Sequence, residues 1–184
     1  MQRRLTFLIF ALGACTTNSA AVPFEPDAVV TGIYRLDITS PANDCDPPRY
    51  TGTSTVALSH VAPSLSIWDV DQTTTQTVAL TEADSYSLRN PATGQRINPC
   101  ADDSASARVF TYTLTGASSD HVTVDVDETW LIVNACSIDN SPGAIPKSSC
   151  AATRTLDYHL LTPCAAPCVV KLAGATNAPS CVCS

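Results

Sequence analysis

The sequence predicts an all-β fold, an antiparallel meander of strands that closes into a barrel, with a β-sandwich as the alternative. Three observations predict it. Short segments in which apolar and polar residues alternate recur along the chain. Turn residues separate these segments, among them many of the 13 prolines. Thr and Ser are abundant, whereas the helix formers Glu, Lys and Met are sparse. We therefore expect little or no helix outside the apolar segment at the N-terminus.

Strict alternation predicts the first strand at Val30–Thr39, and the turn-rich loop Pro41–Pro48 follows it. Asp69–Gln72 is predicted as a turn, and residues 90–104 as a loop, because Asn-Pro and Thr-Gly pairs punctuate that stretch. The other strands predicted in this half are Thr53–His60, Leu65–Val70, Thr74–Leu80 and a short Tyr86–Leu88.

The second half contains the clearest hairpin, in which Ala107–Thr115 and His121–Val133 flank the connection Gly116–Asp120. Apolar residues at alternate positions give each strand one inward face. Two further strands are predicted at Ala152–Leu161 and Val169–Leu172.

The N-terminal segment has a cationic start at Arg3 and Arg4, an apolar run over Leu5–Leu12 and small residues before Cys15. The run is shorter than the roughly 20 residues that span a bilayer. The segment resembles the signal peptide and lipobox of a bacterial lipoprotein. This resemblance implies that Cys15 is acylated and becomes the mature N-terminus. Thr16 stands where lipoproteins retained in the inner membrane often carry Asp, which implies the outer membrane of a Gram-negative bacterium.

These features divide the chain into a signal peptide (1–14), a lipidated flexible tether (15–28) and a single disulfide-rich β domain (29–184). Once Arg3 and Arg4 are removed with the signal peptide, 8 of the 10 Lys and Arg remain against 17 Asp and Glu, which gives a net charge of −9. Such a surface disfavours nucleic acid, which requires clustered cations. The expected contacts are the membrane, through the anchor, and a protein partner or a small apolar ligand. The oligomeric state is left open.

Nine cysteines are present, and removing Cys15 leaves an even number for disulfides in an exported chain. Cys181 and Cys183 are too close in sequence to bond to each other without strain, so each is expected to reach one of Cys164 and Cys168. The other predicted pairs are Cys136–Cys150, as a staple across a hairpin, and Cys45–Cys100, which remains.

No motif for catalysis appears. No two of His60, His121 and His159 share a His-x-His or His-x-x-x-His spacing, so they are predicted as separate surface residues. A Gly-x-Ser-x-Gly elbow and a glycine-rich phosphate loop are both absent from the sequence. We therefore predict no catalytic residue, no metal site and no cofactor, and a protein that is not an enzyme.

Glu128 has the inward parity of its strand, where a carboxylate needs a partner. Arg108 or Arg154, which have inward parity on neighbouring strands, could provide it. Asp125 and Asp127 point the other way and are predicted as a solvated face.

The opening Gly32-Ile33-Tyr34 strand and the meander after it resemble lipocalin-like barrels, with Tyr34 where the G-x-W signature of lipocalins has Trp. The resemblance implies an interior that could hold one small ligand. Two functions follow: a non-enzymatic envelope lipoprotein that is structural or binds proteins, and a lipocalin-like binder of a small apolar ligand. The candidate cavity residues are Tyr34, Trp68, Phe110, Tyr112, Glu128, Trp130 and Tyr158.

Overall fold

The computed structural model describes residues 22–70, 75–96, 105–133, 146–166, 168–173 and 178–183. Within this part of the chain, β-strands dominate, and two 3-10 turns, Pro26–Ala28 and Glu82–Asp84, precede β1 and β5. The strands are β1 (Gly32–Asn43), β2 (Gly52–Val61), β3 (Ser64–Val70), β4 (Thr75–Thr81), β5 (Ser87–Arg96), β6 (Ala105–Ala117), β7 (His121–Val133), β8 (Cys150–Pro163), β9 (Val169–Ala173) and β10 (Ala178–Val182).

Eight strands form one antiparallel sheet in the order β4-β3-β2-β1-β8-β7-β6-β5. The pairing of β1 with β8 joins the first and last strands of the meander, with Leu36 opposite Tyr158. β4 and β5 are the two edges. The connection between them is held by Tyr86, whose N–H donates to the Thr81 carbonyl at 2.7 Å and whose carbonyl accepts from Leu114 N–H at 3.1 Å. The sheet is therefore a nearly closed barrel, which confirms the predicted all-β meander.

The barrel core follows from period-two alternation. Val122, Val124 and Val126 of β7 are fully buried, while the residues between them lie outward. Burying such a side chain stabilises the fold by about 1.5–3 kcal/mol. The same pattern on β1, β3 and β8 adds further residues to the apolar core, namely Tyr34, Leu36, Ile38, Leu65, Ile67, Leu156 and Tyr158.

β1 extends further than the sequence predicts. It continues to Asn43, past the predicted end at Thr39 and into the predicted loop. The β1–β8 register shifts between Thr39 and Ala42, where Pro41 lies. An irregularity of this kind accommodates a proline, which cannot donate to the ladder.

Three other predictions need correction. β5 is a full strand rather than a short piece at Tyr86–Leu88, and it takes in 90–96 of the predicted loop. Pro91 is tolerated there because β5 lies at a sheet edge. Asp69 and Val70 belong to β3, as the predicted strand Leu65–Val70 has them, so the predicted turn cannot begin at Asp69. β10, which contains Pro179, has no counterpart among the predicted strands because its five residues show no clear alternation.

A disulfide joins Cys45 to Cys150, with Cα atoms 5.1 Å apart. This corrects both predicted pairs, Cys45–Cys100 and Cys136–Cys150. The physical reason is the register of the β1–β8 ladder, which, continued by two residues on β1, places Cys45 opposite Cys150. Cys100 and Cys136, like Cys15, lie outside the described residues.

The C-terminal disulfides are Cys164–Cys181 and Cys168–Cys183. Cys181 and Cys183 thus each bond to one of Cys164 and Cys168, as predicted. They brace the hairpin of β9 and β10, which packs against β2. A disulfide typically contributes about 2–4 kcal/mol. This small hairpin has little apolar core of its own, so the bonds are its principal constraint.

The chain before β1 is bonded to the barrel. Ala117 N–H donates to the Pro23 carbonyl at 2.7 Å, and Glu25 N–H donates to the Ala117 carbonyl at 2.8 Å. Phe24 also meets Tyr86 edge to face, with ring centroids 6.3 Å apart. The last residues of the predicted tether, 23–28, are thus part of the domain.

Candidate functional site

The barrel interior holds a buried cluster of charged side chains, the interior cluster. Arg154 of β8 donates two hydrogen bonds to Asp69 of β3, Nη1 to Oδ1 at 3.0 Å and Nη2 to Oδ2 at 2.8 Å. The Tyr112 hydroxyl on β6 donates to the same Oδ2 at 2.8 Å. Arg154 is 2% exposed and Asp69 1%. Because β1 and β2 separate β8 from β3 in the sheet, this bidentate pair spans the barrel interior.

Glu128 of β7 is the second carboxylate of the interior cluster. Its Oε1 lies 3.0 Å from Arg49 Nε, its Oε2 lies 3.5 Å from Arg154 Nε, and Trp130 Nε1 donates to Oε1 at 2.5 Å. The inward position of Glu128 and its pairing with Arg154 are confirmed. Arg108, the other predicted partner, lies instead over the Trp130 ring, 5.5 Å from its centroid.

The interior cluster balances its charges, since Arg49 and Arg154 face Asp69 and Glu128. An isolated buried ion costs several kcal/mol, so these groups tolerate burial only as a paired set. Burial by itself lowers the pKa of Arg154, but the charges of Asp69 and Glu128 outweigh it and the pKa is raised. Burial and the Asp69 charge raise the pKa of Tyr112 well above its usual value, so the phenol stays a donor.

Most of the residues predicted to line a cavity are buried in the barrel. The Tyr34 hydroxyl donates to the Val30 carbonyl at 2.6 Å, and the Tyr158 hydroxyl donates to the Trp68 carbonyl at 3.1 Å. Trp68 itself departs from the prediction, because it alternates with inward Asp69 on β3 and is only half-buried. The buried members are Tyr34, Phe110, Tyr112, Glu128, Trp130 and Tyr158.

A second group of side chains lies on the outer face of β7 and β8, the histidine cluster of His121, Asp157 and His159. The two histidines are opposite in register and their rings stack with centroids 4.4 Å apart. Asp157 Oδ1 is 2.5 Å from His121 Nε2, and its Oδ2 is 3.2 Å from His159 Nε2. Two histidines predicted as separate surface residues therefore share one carboxylate, whereas His60 lies on β2.

Neighbouring strands add polar groups to the histidine cluster. Thr123 Oγ1 on β7 donates to Asp157 Oδ1 at 3.1 Å. Asp37 on β1 is directly opposite Asp157, and its Oδ2 is 3.8 Å from His159 Nε2. A hydrogen bond from Thr53, together with the adjacent Arg35 guanidinium, holds the pKa of Asp37 below its usual value.

An open groove of about 570 Å³ runs beside the histidine cluster. The imidazoles stay partly accessible there, since the side chains of His121 and His159 are 28% and 36% exposed. The groove is lined by Val22, Pro23, Ser118, Asp120, His121, His159 and Leu160.

Sequence reasoning missed two members of the interior cluster and the whole histidine cluster. Asp69 shares its parity with Leu65 and Ile67, and that alternation is the signal that places it inside. Arg49 lies in the loop between β1 and β2, which carries no periodicity. His121 and Asp157 are 36 residues apart, so only the strand register brings them together.

The fold and these two clusters define the class of the molecule as an eight-stranded antiparallel barrel whose mostly apolar interior contains a buried cluster of ion pairs. Comparison with protein-family models, with curated proteins and with the solved structures finds no match to this chain. Among the described residues, the helical segments are too short and too polar to cross a bilayer.

Proposed function

We propose that this chain is a non-enzymatic lipoprotein of the cell envelope, anchored through Cys15 in the outer membrane. Its β domain acts as a rigid structural or protein-interacting module. Support for the anchor comes from the cationic, apolar and small-residue pattern that ends at Cys15. An acylated cysteine carrying more than one chain would give stable attachment.

The interior cluster is the observation that carries the proposal for the β domain. Arg154 donates two hydrogen bonds to Asp69 and forms an ion pair with Glu128 inside the barrel. Tyr112 donates to Asp69 instead of presenting its hydroxyl to a ligand. A carrier of apolar molecules offers a mostly apolar chamber with few polar groups. In the described interior, paired charged side chains lie beside the apolar core, which favours a rigid module over a carrier.

The competing function is the lipocalin-like binder of a small apolar ligand. Its support is the set of inward aromatic rings, among them Phe110 and Tyr112 with centroids 6.0 Å apart. Such a ligand would meet the buried ion pairs wherever it reached Asp69, Glu128 or Arg154. Contact with paired charges is unfavourable for an apolar molecule, because it offers them no hydrogen bond in return.

Native mass spectrometry of the protein extracted from its own membranes tests these alternatives. We expect the mass of the lipidated chain with no further stoichiometric small molecule. A small apolar molecule that co-purifies one to one would overturn the proposal in favour of the binder. The Phe110→Ala variant serves as the matched check, since a ligand seated in the barrel would bind it with altered affinity.

Acyl-chain labelling tests the anchor separately. Labelled fatty acid should appear in the wild-type chain and be absent from Cys15→Ser, because the thiol is the only acceptor that the lipobox pattern implies. Label that persists in the variant would refute the assignment of Cys15.

A further inference from the structure

We propose that the histidine cluster is a binding site for a divalent transition-metal ion, with Zn²⁺ the preferred occupant. His121, Asp157 and His159 are its three protein ligands. The inference goes beyond the proposed function and does not depend on the anchor at Cys15.

The geometry of the donors carries the proposal. One imidazole nitrogen of each histidine and one Asp157 oxygen all lie within 4.8 Å of one another. Ligands of tetrahedral zinc at about 2.0–2.1 Å are roughly 3.3 Å apart. His159 Nε2 and Asp157 Oδ2 are already 3.2 Å apart, and His121 Nε2 lies at 2.5 Å from Oδ1. To admit an ion, the His121 and Asp157 side chains must separate to about this ligand spacing.

The scaffold of the site is rigid. His121 and His159 lie on adjacent strands at directly opposed positions, and Asp157 lies two residues before His159 on the same face of β8. All three ligands therefore come from hydrogen-bonded β-structure and not from a loop. Thr123, which donates to Asp157 Oδ1 at 3.1 Å, supplies the outer partner that orients a ligating carboxylate.

The charges around the site also favour a cation. Asp37 and Asp157 are directly opposite each other on β1 and β8, an arrangement that is unfavourable for like charges. Arg35 Nε, 2.9 Å from Asp37 Oδ2, balances one carboxylate. A divalent ion held by Asp157 would balance the other. Imidazole and carboxylate together suit zinc, whereas Ca²⁺ and Mg²⁺ prefer oxygen ligands alone.

Three protein ligands leave a fourth coordination position for water or for a donor from another molecule. The groove beside His121 and His159 gives access to it, since both imidazoles line that groove.

Metal titration of the oxidised, lipidated protein in detergent, without a polyhistidine tag, tests the site. After chelator treatment we expect calorimetry to show one Zn²⁺ per chain and a higher unfolding temperature, and Co²⁺ to give a visible ligand-field band. Thr123→Val should weaken the affinity by about 10- to 100-fold, the cost of losing an outer partner. His159→Asn should lose saturable binding. His60→Asn, a histidine on β2, is the matched control and should bind as the wild type does.

The proposal is overturned if the wild type binds no ion with one-to-one stoichiometry, or if His159→Asn binds with unchanged affinity. Circular dichroism and intact disulfides would verify that each variant folds. A second measurement needs no variant: Zn²⁺ should protect His121 and His159 from acylation by diethyl pyrocarbonate. Equal modification of both imidazoles with and without Zn²⁺ would also overturn the site, and leave the cluster as an ion-paired surface group.

Discussion

Replacement of Arg154 by Met removes the charge at the centre of the interior cluster while keeping much of the side-chain volume. Arg154 makes two hydrogen bonds to Asp69 and lies 3.5 Å from Glu128. With Arg154→Met, the Asp69 carboxylate loses its bidentate partner and Glu128 keeps Arg49. The variant therefore leaves the buried Asp69 carboxylate without its bidentate partner, while the Tyr112 hydroxyl still donates to it.

The magnitude follows from burial. Arg154 and Asp69 have side-chain exposures of 2% and 1%. Removing one member of such a buried pair typically costs about 3–5 kcal/mol. For a chain of this length, 1 kcal/mol corresponds to roughly 2–4 °C in the unfolding midpoint. We expect Arg154→Met to lower the midpoint by about 6–20 °C.

Thermal unfolding followed by tryptophan fluorescence measures the shift in midpoint, and urea unfolding measures the free energy. Arg35→Met is the matched control, because Arg35 forms an ion pair with Asp37 at 2.9 Å and is 49% exposed. An exposed pair contributes about 0–1 kcal/mol. The two variants remove the same charge and the same atoms, so the difference between them isolates the burial of the pair.

A cost for Arg154→Met as small as that for Arg35→Met would refute the reasoning, since the interior cluster would then be solvated. Addition of Asp69→Asn to Arg154→Met extends the test. Residues in one network couple by about 0.5–3 kcal/mol, so the double variant should be less destabilised than the sum of the two single variants. Strict additivity would contradict the bidentate bond.

Three further predictions concern other parts of the barrel. Burial raises the pKa of Tyr34 to about 12, partly offset by its backbone hydrogen bond, so the folded state keeps this proton above the unfolded value near 10. The stability that Tyr34 contributes is therefore present below about pH 10 and lost as the pH rises towards 12. The difference in unfolding free energy between the wild type and Tyr34→Phe should narrow over that range. A difference that stays constant would contradict the pKa shift. Gly32→Ala should lower the free energy of unfolding in urea by about 1–3 kcal/mol, because the new Cβ would lie 2.5 Å from the Thr162 carbonyl oxygen. An unchanged free energy would show that the β8 backbone shifts at little cost. Cys45→Ser with Cys150→Ser should cost about 2–4 kcal/mol in thermal unfolding, and an unchanged midpoint would mean that the β1–β8 ladder needs no covalent bond.

Features that depend on neighbouring residues along the chain, such as strand bounds and the inward or outward side of a residue, can be predicted from the sequence. Alternation alone predicts β7 at His121–Val133, the bounds that the structure has. The same parity argument places Glu128 inside and offers Arg108 and Arg154 as partners, because a buried carboxylate must be paired. The structure pairs it with Arg154. β2 and β3 are predicted to within a residue or two for the same reason.

What the sequence does not reveal is non-local. The bond from Cys45 to Cys150 depends on the pairing of the first and last barrel strands, which no hairpin rule predicts. Arg49 reaches the barrel from a loop without periodicity, and His121 meets Asp157 only through the β7–β8 register. Each of these contacts is fixed by closure of the sheet, and closure is a property of the whole chain.

The order of strands has a consequence for how the barrel comes apart. β1–β4 and β5–β8 are two consecutive four-stranded halves, connected through the chain at Glu82–Asp84 and hydrogen-bonded along β1 and β8. The chain connection therefore joins the two edge strands, β4 and β5, whereas the β1–β8 ladder lies in the middle of the strand order. A protease that cleaved the exposed Glu82–Asp84 turn would leave two fragments. They would stay hydrogen-bonded along β1 and β8 and covalently linked by the Cys45–Cys150 disulfide. Cleavage of the chain between the two halves would therefore not by itself separate them.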